Sequence, residues 1–286
     1  MRIVHITDLH VASAGFVPEW GERLIRSVNA QQADLIVVTG DLVDDGLEHE
    51  YVAAKRFLDQ FETRPAETAA NGSTGARRML VVPGNHDLRY NGGALFDRIF
   101  GGRQPTWRSD DVLVVGADSA APDVDDGSIS AHQMVTLAER LSEATAKTKI
   151  LALHHHIMPI PGSGRDRDIV SNAGDVLHLC LETGVDVVLT GHMHRPWIWR
   201  LDDLHVISGG TATTNRYKGG TYPAYGVLDL GESAIFTEIN VRDESTRAWE
   251  LQLRNTRRAA ESIPSSDRLP IESAGLPPAV AASPVG

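Results

Sequence analysis

The stretch Leu35-Ile36-Val37-Val38-Thr39-Gly40-Asp41-Leu42-Val43-Asp44 decides how this chain is read. Its first five residues are apolar or β-branched without alternation, the pattern of a strand buried on both faces. Gly40 then turns the backbone, and Asp41 stands at the strand's carboxyl end, where open α/β sheets gather their ligands. A carboxylate in that place can bridge two cations, one per oxygen. Asp41 is the expected bridge, and other strand ends are expected to bring the remaining donors.

Outward from Asp41, four more apolar runs end in the same way. Arg2 to Thr7 leads into Asp8-Leu9-His10, and Met79 to Val82 into Pro83-Gly84-Asn85-His86-Asp87. Lys149 to Leu153 leads into His154-His155-His156, and Val185 to Thr190 into Gly191-His192-Met193-His194. Helical periodicity fills the gaps: residues 18–30 with Pro18 in the first turn, 47–61, 91–100, 130–145 capped by Ser130, and 168–182 stopped by Gly184. Asp111 to Ala117 adds another strand. From Trp197 onward only short strands follow: Trp197 to Leu201, His205 to Ser208, Tyr225 to Leu230, Ala234 to Val241 and Ala248 to Leu253. An alternating first half and an all-strand second half imply an α/β fold, two β-sheets packed as a sandwich with helices outside. The expected domain covers residues 1–253. Residues 62–76 read as a surface loop, and 254–286, rich in Ala, Pro and Ser without periodicity, as a disordered tail.

Composition bounds the function. The chain has 286 residues, enough for a large core, and a net charge of −11, which argues against an extended nucleic-acid partner. No apolar run approaches the roughly 18 residues that span a membrane, and no signal sequence opens the chain, so a cytoplasmic protein is expected. The single cysteine, Cys180, lies in an apolar helical pattern and reads as core. Of twelve histidines, seven fall inside the strand-end motifs. His5, His49, His132, His178 and His205 have no motif around them and read as ordinary core or surface residues.

Each strand-end motif alone is a common turn; five in this order are a constellation. Residues i and i+2 of a strand share a face, so Asp8 and His10 are expected to reach one ion together. His192 and His194 have the same spacing, although a turn there could send them to neighbouring ions. Imidazole donors argue against magnesium or calcium alone, and the lack of thiolate argues against a structural zinc site. Manganese, iron and zinc all suit such a donor set. Two divalent ions bring about four positive charges, of which Asp8 and Asp41 cancel two. The residual positive charge would attract an anion, and phosphate oxygens suit it.

These motifs resemble those of the calcineurin-like metallophosphoesterase superfamily: Asp-x-His, Gly-Asp-x-x-Asp, Gly-Asn-His-Asp, a histidine-bearing strand end and Gly-His-x-His, in order over residues 8–194. Within it the chain looks most like the class III cyclic nucleotide phosphodiesterases. The resemblance implies an αββα sandwich holding two divalent or mixed-valence transition-metal ions (Mn, Fe or Zn). One ion would be held by Asp8, His10, Asp41 and His194, the other by Asp41, Asn85, His154 and His192. His86 would be the catalytic histidine, protonating the leaving oxygen or steadying the transition state. His154 is chosen because it comes directly off its strand; His155 is the alternative. The implied activity is hydrolysis of a small phosphodiester, such as a 3′,5′-cyclic nucleotide, by attack of a metal-bridging hydroxide. Phosphomonoesterase, nuclease and non-catalytic scaffold are the other readings, and relatives of this kind are often homodimers.

Around that set, Asp44 is expected to orient His86, against the plainer reading of a solvated turn carboxylate. Asp87 is expected to cap a turn. Arg216, in the loop Gly209 to Tyr222, could hold a phosphate or stack on a base. For it, and for Arg165 and Arg167, a solvated side chain is the plainer reading.

Overall fold

The computed structural model describes residues 1–64, 78–142, 145–163, 169–218 and 220–254. In chain order the elements are β1 (Arg2–Ile6), α1 (Pro18–Ala30), β2 (Leu35–Thr39), α2 (Glu48–Leu58), β3 (Met79–Val82), α3 (Gly92–Phe100), β4 (Thr106–Arg108) and β5 (Val112–Gly116). There follow α4 (Ala131–Ser142), β6 (Thr148–Ala152), α5 (Ala173–Thr183), β7 (Val187–Thr190), β8 (Trp197–Leu201), β9 (Leu204–Ser208), β10 (Ala224–Leu230), β11 (Ala234–Asn240) and β12 (Thr246–Leu251). A single 3-10 turn, His86–Leu88, follows β3.

The strands form two six-stranded sheets, ordered β12-β11-β10-β1-β2-β3 and β4-β5-β6-β7-β9-β8. β1, β2 and β3 run parallel, as do β5, β6, β7 and β9. Side-chain alternation divides the interior into three apolar layers. Ile3, Leu35 and Val37 meet Val114, Ile150 and Leu189 between the sheets. Val4, Ile6, Ile36 and Val38 pack outward against Leu24, Val28 and Phe57. On the other sheet, Leu113, Val115 and Leu151 pack outward against Leu137, Val176 and Cys180. With both faces covered, the central strands have no solvent side to mark, hence their unbroken apolar runs. The expected α/β sandwich, two packed sheets flanked by helices, is the fold observed.

Most element ends shift by up to three residues from expectation, and two larger differences stand out. The short edge strand β4 pairs antiparallel with β5, and three residues between Pro105 and Ser109 carry no periodic signal. Helix α5 starts at Ala173 rather than at 168. Val170 gives its N–H to the His156 carbonyl and bridges to Gly127, so the chain there is still extended. Ser130 does cap its helix, accepting from the Gln133 N–H at 3.2 Å. Cys180 is buried, and burial pushes its thiol up to about 12. The expected tail beyond Arg254, most of the expected 62–76 loop, and Arg165 and Arg167 lie outside the described residues. Among the described residues, no helix is long and apolar enough to cross a membrane.

Candidate metal centre

The carboxyl ends of β1, β2, β3, β6 and β7 all open toward one place. Two of the approaches depend on glycine. A Cβ on Gly84 would lie 2.2 Å from Asp41 Oδ1, and one on Gly191 would lie 2.6 Å from Asp8 Oδ2. Each glycine therefore lets a backbone press against a carboxylate. The donor-bearing residues take an unusual backbone: Asp8, His10, Asp41, His192 and His194 have φ of 54°, 43°, 52°, 73° and 51°. For residues with a Cβ that conformation costs on the order of 1 kcal/mol or more each, and it clusters at functional sites. It also corrects the expectation for Asp8 and His10. They converge because both turn left-handed past the strand end, not because they share a strand face.

Two groups of donors result. In the first, His10 Nε2 and His194 Nε2 lie 3.0 Å apart, His194 Nε2 is 3.3 Å from Asp8 Oδ1, and His10 Nε2 is 3.6 Å from Asp41 Oδ2. In the second, His154 Nε2 is 3.1 Å from Asn85 Oδ1, 3.2 Å from His192 Nδ1 and 3.3 Å from Asp41 Oδ2. His192 Nδ1 is 3.1 Å from Asn85 Oδ1. His192 and His194 thus part, one to each group.

Asp41 belongs to both groups, but not through one oxygen each as expected. Oδ1 accepts the His86 backbone N–H at 3.0 Å, which leaves Oδ2 to face His10 on one side and His154 on the other.

The protons of the rings decide what these groups can hold. His10 Nδ1 donates to Asp44 Oδ1 at 3.1 Å, His154 Nδ1 to the Thr39 carbonyl at 2.7 Å, and His194 Nδ1 to the Arg216 carbonyl at 3.1 Å. Each Nδ1 proton so assigned leaves Nε2 with a lone pair. Two such lone pairs 3.0 Å apart repel unless a cation stands between them. That separation is also close to the edge of a coordination shell with metal–nitrogen bonds of roughly 2.1 Å. The donor set fits transition-metal ions.

Electrostatics agree. Burial alone would raise the Asp41 carboxyl, but His154 and His86 outweigh it and hold it well below the usual range. Burial opposes a proton on His154, yet Asp41 pushes the ring up to about 9. Positive charge is favoured at this point. Burial and the neighbouring His154 hold His192 well below the ordinary imidazole value, as a neutral donor requires.

The remaining expected residues are placed as follows. His86 Nδ1 donates to the backbone carbonyl of Asp44 at 2.7 Å, and its ring meets that of His10 edge-on with centroids 4.7 Å apart. Asp44 therefore orients His86 mainly through its main chain, with its carboxylate Oδ1 also 3.4 Å from His86 Nδ1, while that carboxylate serves His10 and Arg216. The His10 hydrogen bond, then Arg216, holds the Asp44 carboxyl below its ordinary value. Arg216 is half-exposed yet ion-paired: Nη1 and Nη2 grip Asp44 Oδ1 and Oδ2 at 2.6 and 2.9 Å. Asp87 is fully buried and accepts the N–H groups of Leu42, Val43 and Gly84, lashing two strand ends together. His155 lies close to His154 and His192, but both its ring nitrogens face protein oxygens, Ser119 Oγ at 2.8 Å and the Asp125 carbonyl at 3.1 Å. His5 is buried, with Nε2 2.8 Å from Thr39 Oγ1.

One supporting residue escaped the sequence reading. Asp125 accepts from Asn85 Nδ2 at 2.9 Å and so turns the amide oxygen inward; it lies in no motif and at no spacing that marks it. Thr211, in the loop Gly209 to Tyr222 that is the expected resting place of a substrate's leaving group, instead donates from Oγ1 to the Asp8 carbonyl at 2.7 Å.

Comparison with known proteins fits this geometry. A family model described as calcineurin-like phosphoesterase matches residues 1–196. The chain belongs to this family and is a metal-dependent phosphoric ester hydrolase. It is similar to the 3′,5′-cyclic adenosine monophosphate phosphodiesterase CpdA of Escherichia coli K12, 29% identical over 214 residues, 68% of this chain and 70% of that one. It is also similar to a 3′,5′-cyclic-nucleotide phosphodiesterase of Nostoc, 21% identical over 228 residues, 76% and 80% of the two chains. Among solved structures, purple acid phosphatase PPD1 of yellow lupin shares the fold at 13% identity, TM-score 0.65, over 96% of this chain and 57% of that one. GAP50 of Plasmodium does so at 14% identity, TM-score 0.62, over 97% and 99%.

Proposed function

We propose that this chain is a binuclear metal-dependent phosphodiesterase acting on small phosphodiesters, 3′,5′-cyclic nucleotides among them. The observation that carries the reading is Asp41 Oδ2, which faces two separate groups of lone-pair donors at once. Asp8, His10, Asp41 and His194 hold one ion, and Asp41, Asn85, His154 and His192 hold the other. When bound, two such ions supply Lewis acidity toward phosphoryl oxygens and a water made nucleophilic at neutral pH.

The chain's own residues do the rest. Thr39, Asp44 and the Arg216 carbonyl keep three imidazoles in the donor tautomer. Asp125 keeps the Asn85 oxygen, not its NH2, on the ion side. As the imidazolium, with Nδ1–H on the Asp44 carbonyl, His86 carries a second proton on Nε2, which it gives to the departing alkoxide to leave the neutral ring. The names of the Escherichia coli and Nostoc relatives support diesters over monoesters.

The test is protein stripped by a chelator, reloaded with manganese, and assayed on bis(p-nitrophenyl) phosphate, 3′,5′-cyclic AMP and p-nitrophenyl phosphate. The expected result is two ions per chain and turnover of the diesters. No hydrolysis of any phosphoester overturns the proposal, and faster turnover of the monoester shifts it to a phosphomonoesterase. Light scattering on the same sample reads whether the chain works as a homodimer.

A further inference from the structure

The two donor groups are supported by different parts of the molecule. At the strand ends the Asp8 carboxylate of the first group accepts from Thr7 Oγ1 at 2.7 Å and from the His192 N–H at 3.0 Å; both of its histidines are instead steadied through one loop between β9 and β10. Thr211 Oγ1 holds the Asp8 carbonyl, and Thr213 Oγ1 holds the carbonyl of Leu9, which joins Asp8 to His10. The Arg216 carbonyl takes the Nδ1 proton of His194 at 3.1 Å. Its guanidinium grips both oxygens of Asp44, whose Oδ1 takes the Nδ1 proton of His10. One residue thus fixes both histidines of the first group, one through its main chain and one through its side chain. Arg216 is itself anchored: its N–H meets Thr214 Oγ1 at 3.2 Å, and that hydroxyl is 3.1 Å from Thr211 Oγ1.

Two of the five N–H donors of Arg216, one on each terminal nitrogen, are committed to Asp44. The third nitrogen lies over Gly15, where a Cβ would come within 2.9 Å of Nε. Among the described residues, Asn85, His154 and His192 take their hydrogen bonds from groups other than Arg216: Asn85 is held by Asp125 and His154 by Thr39.

We propose that Arg216 is a positioning residue for one ion of the pair and not for the other. Its two-pronged grip on Asp44 sets His10, its carbonyl sets His194, and only the ion at Asp8, His10, Asp41 and His194 depends on it. This rests on the binuclear reading above.

The experiment measures cobalt(II) and manganese(II) affinity and stoichiometry by calorimetry and cobalt absorption, with thermal melting of the metal-free protein as the folding control. The variants are Arg216→Ala and Arg216→Lys, each made alone and in an Asn85→Ala background that weakens the second group. Wild type is expected to take up two ions. Arg216→Ala is expected to weaken one by about 10–100-fold, the usual effect of losing a group that orients a ligand. The other ion should change by less than about threefold, within the scatter expected of independent sites. In the Asn85→Ala background the full loss should persist. Arg216→Lys, a single-point charge, should fall between, and added guanidinium should restore part of the affinity of Arg216→Ala.

Two ions held as tightly by folded Arg216→Ala as by wild type would overturn the inference alone. So would equal weakening of both ions. If Arg216→Ala does not fold, Arg216→Lys decides by the same criterion. Wild type that takes up one ion or none would overturn the binuclear reading, and this inference with it.

Discussion

The two halves of the candidate centre differ in how they are built. The second half, Asn85, His154 and His192, is steadied by the Thr39 carbonyl at the end of β2 and by Asp125 in the loop between β5 and α4. In the first half, Asp8, His10 and His194, the Asp8 carboxylate is held at the strand ends by Thr7 and the His192 N–H, while both histidines rest on a loop far along the chain, after β9. Each half leans on a different loop, after β5 or after β9, so a change in either loop should fall mainly on one ion, with Asp41 the ligand common to both.

The strongest way to break that contrast is to remove what the halves share. Asp41→Ala should abolish tight uptake of both ions together and lower turnover by on the order of 1000-fold or more, since several kcal/mol of charge stabilisation leave with them. Metal analysis alongside kcat reads this, and retention of one tight ion would show that Asp41 is not shared. Next in size is His86→Ala, expected to lower kcat by about 100- to 10,000-fold, the range of a lost general acid, with both ions retained. A parallel loss of metal would make His86 a ligand and redraw both halves.

Asp125→Ala is the mirror of the Arg216 test. It should weaken only the ion at Asn85, His154 and His192, by about 10–100-fold, and calorimetry with the first ion unchanged would sharpen the contrast. Gly15→Ala should be the mildest. The new methyl presses on Arg216, which can yield, so the first ion should weaken by less than about tenfold and the second not at all. A larger effect on the second ion would mean that the loop supports both.

Much of this was legible before any coordinates. Apolar runs buried on both faces, each ending in Gly, Asp, Asn or His, carry the sandwich and the donor set, because strand burial and ligand type are local properties of sequence. What did not show is long-range and aperiodic. Asp125 finds Asn85 across 40 residues, and Arg216 finds Asp44 across 172. A hydrogen bond between loops leaves no period to read. The single shared oxygen of Asp41 was hidden too, because the N–H that takes the other oxygen belongs to His86, on a different strand end. Left-handed backbone at Asp8 and His10 defeated the strand-face argument, since alternation holds only while the chain stays extended.

The origin of the donors has one more consequence. Asp8, His10, Asp41 and Asn85 hang from one sheet, while His154, His192 and His194 hang from the other, so each ion of the proposed pair would bridge the seam of the sandwich. The buried filling between the sheets, Val37 against Ile150 and Leu189 among others, then acts as a shim that gauges the gap the ions must span. Thickening or thinning that filling by a methylene, well away from any reacting atom, would retune the centre as surely as altering a ligand.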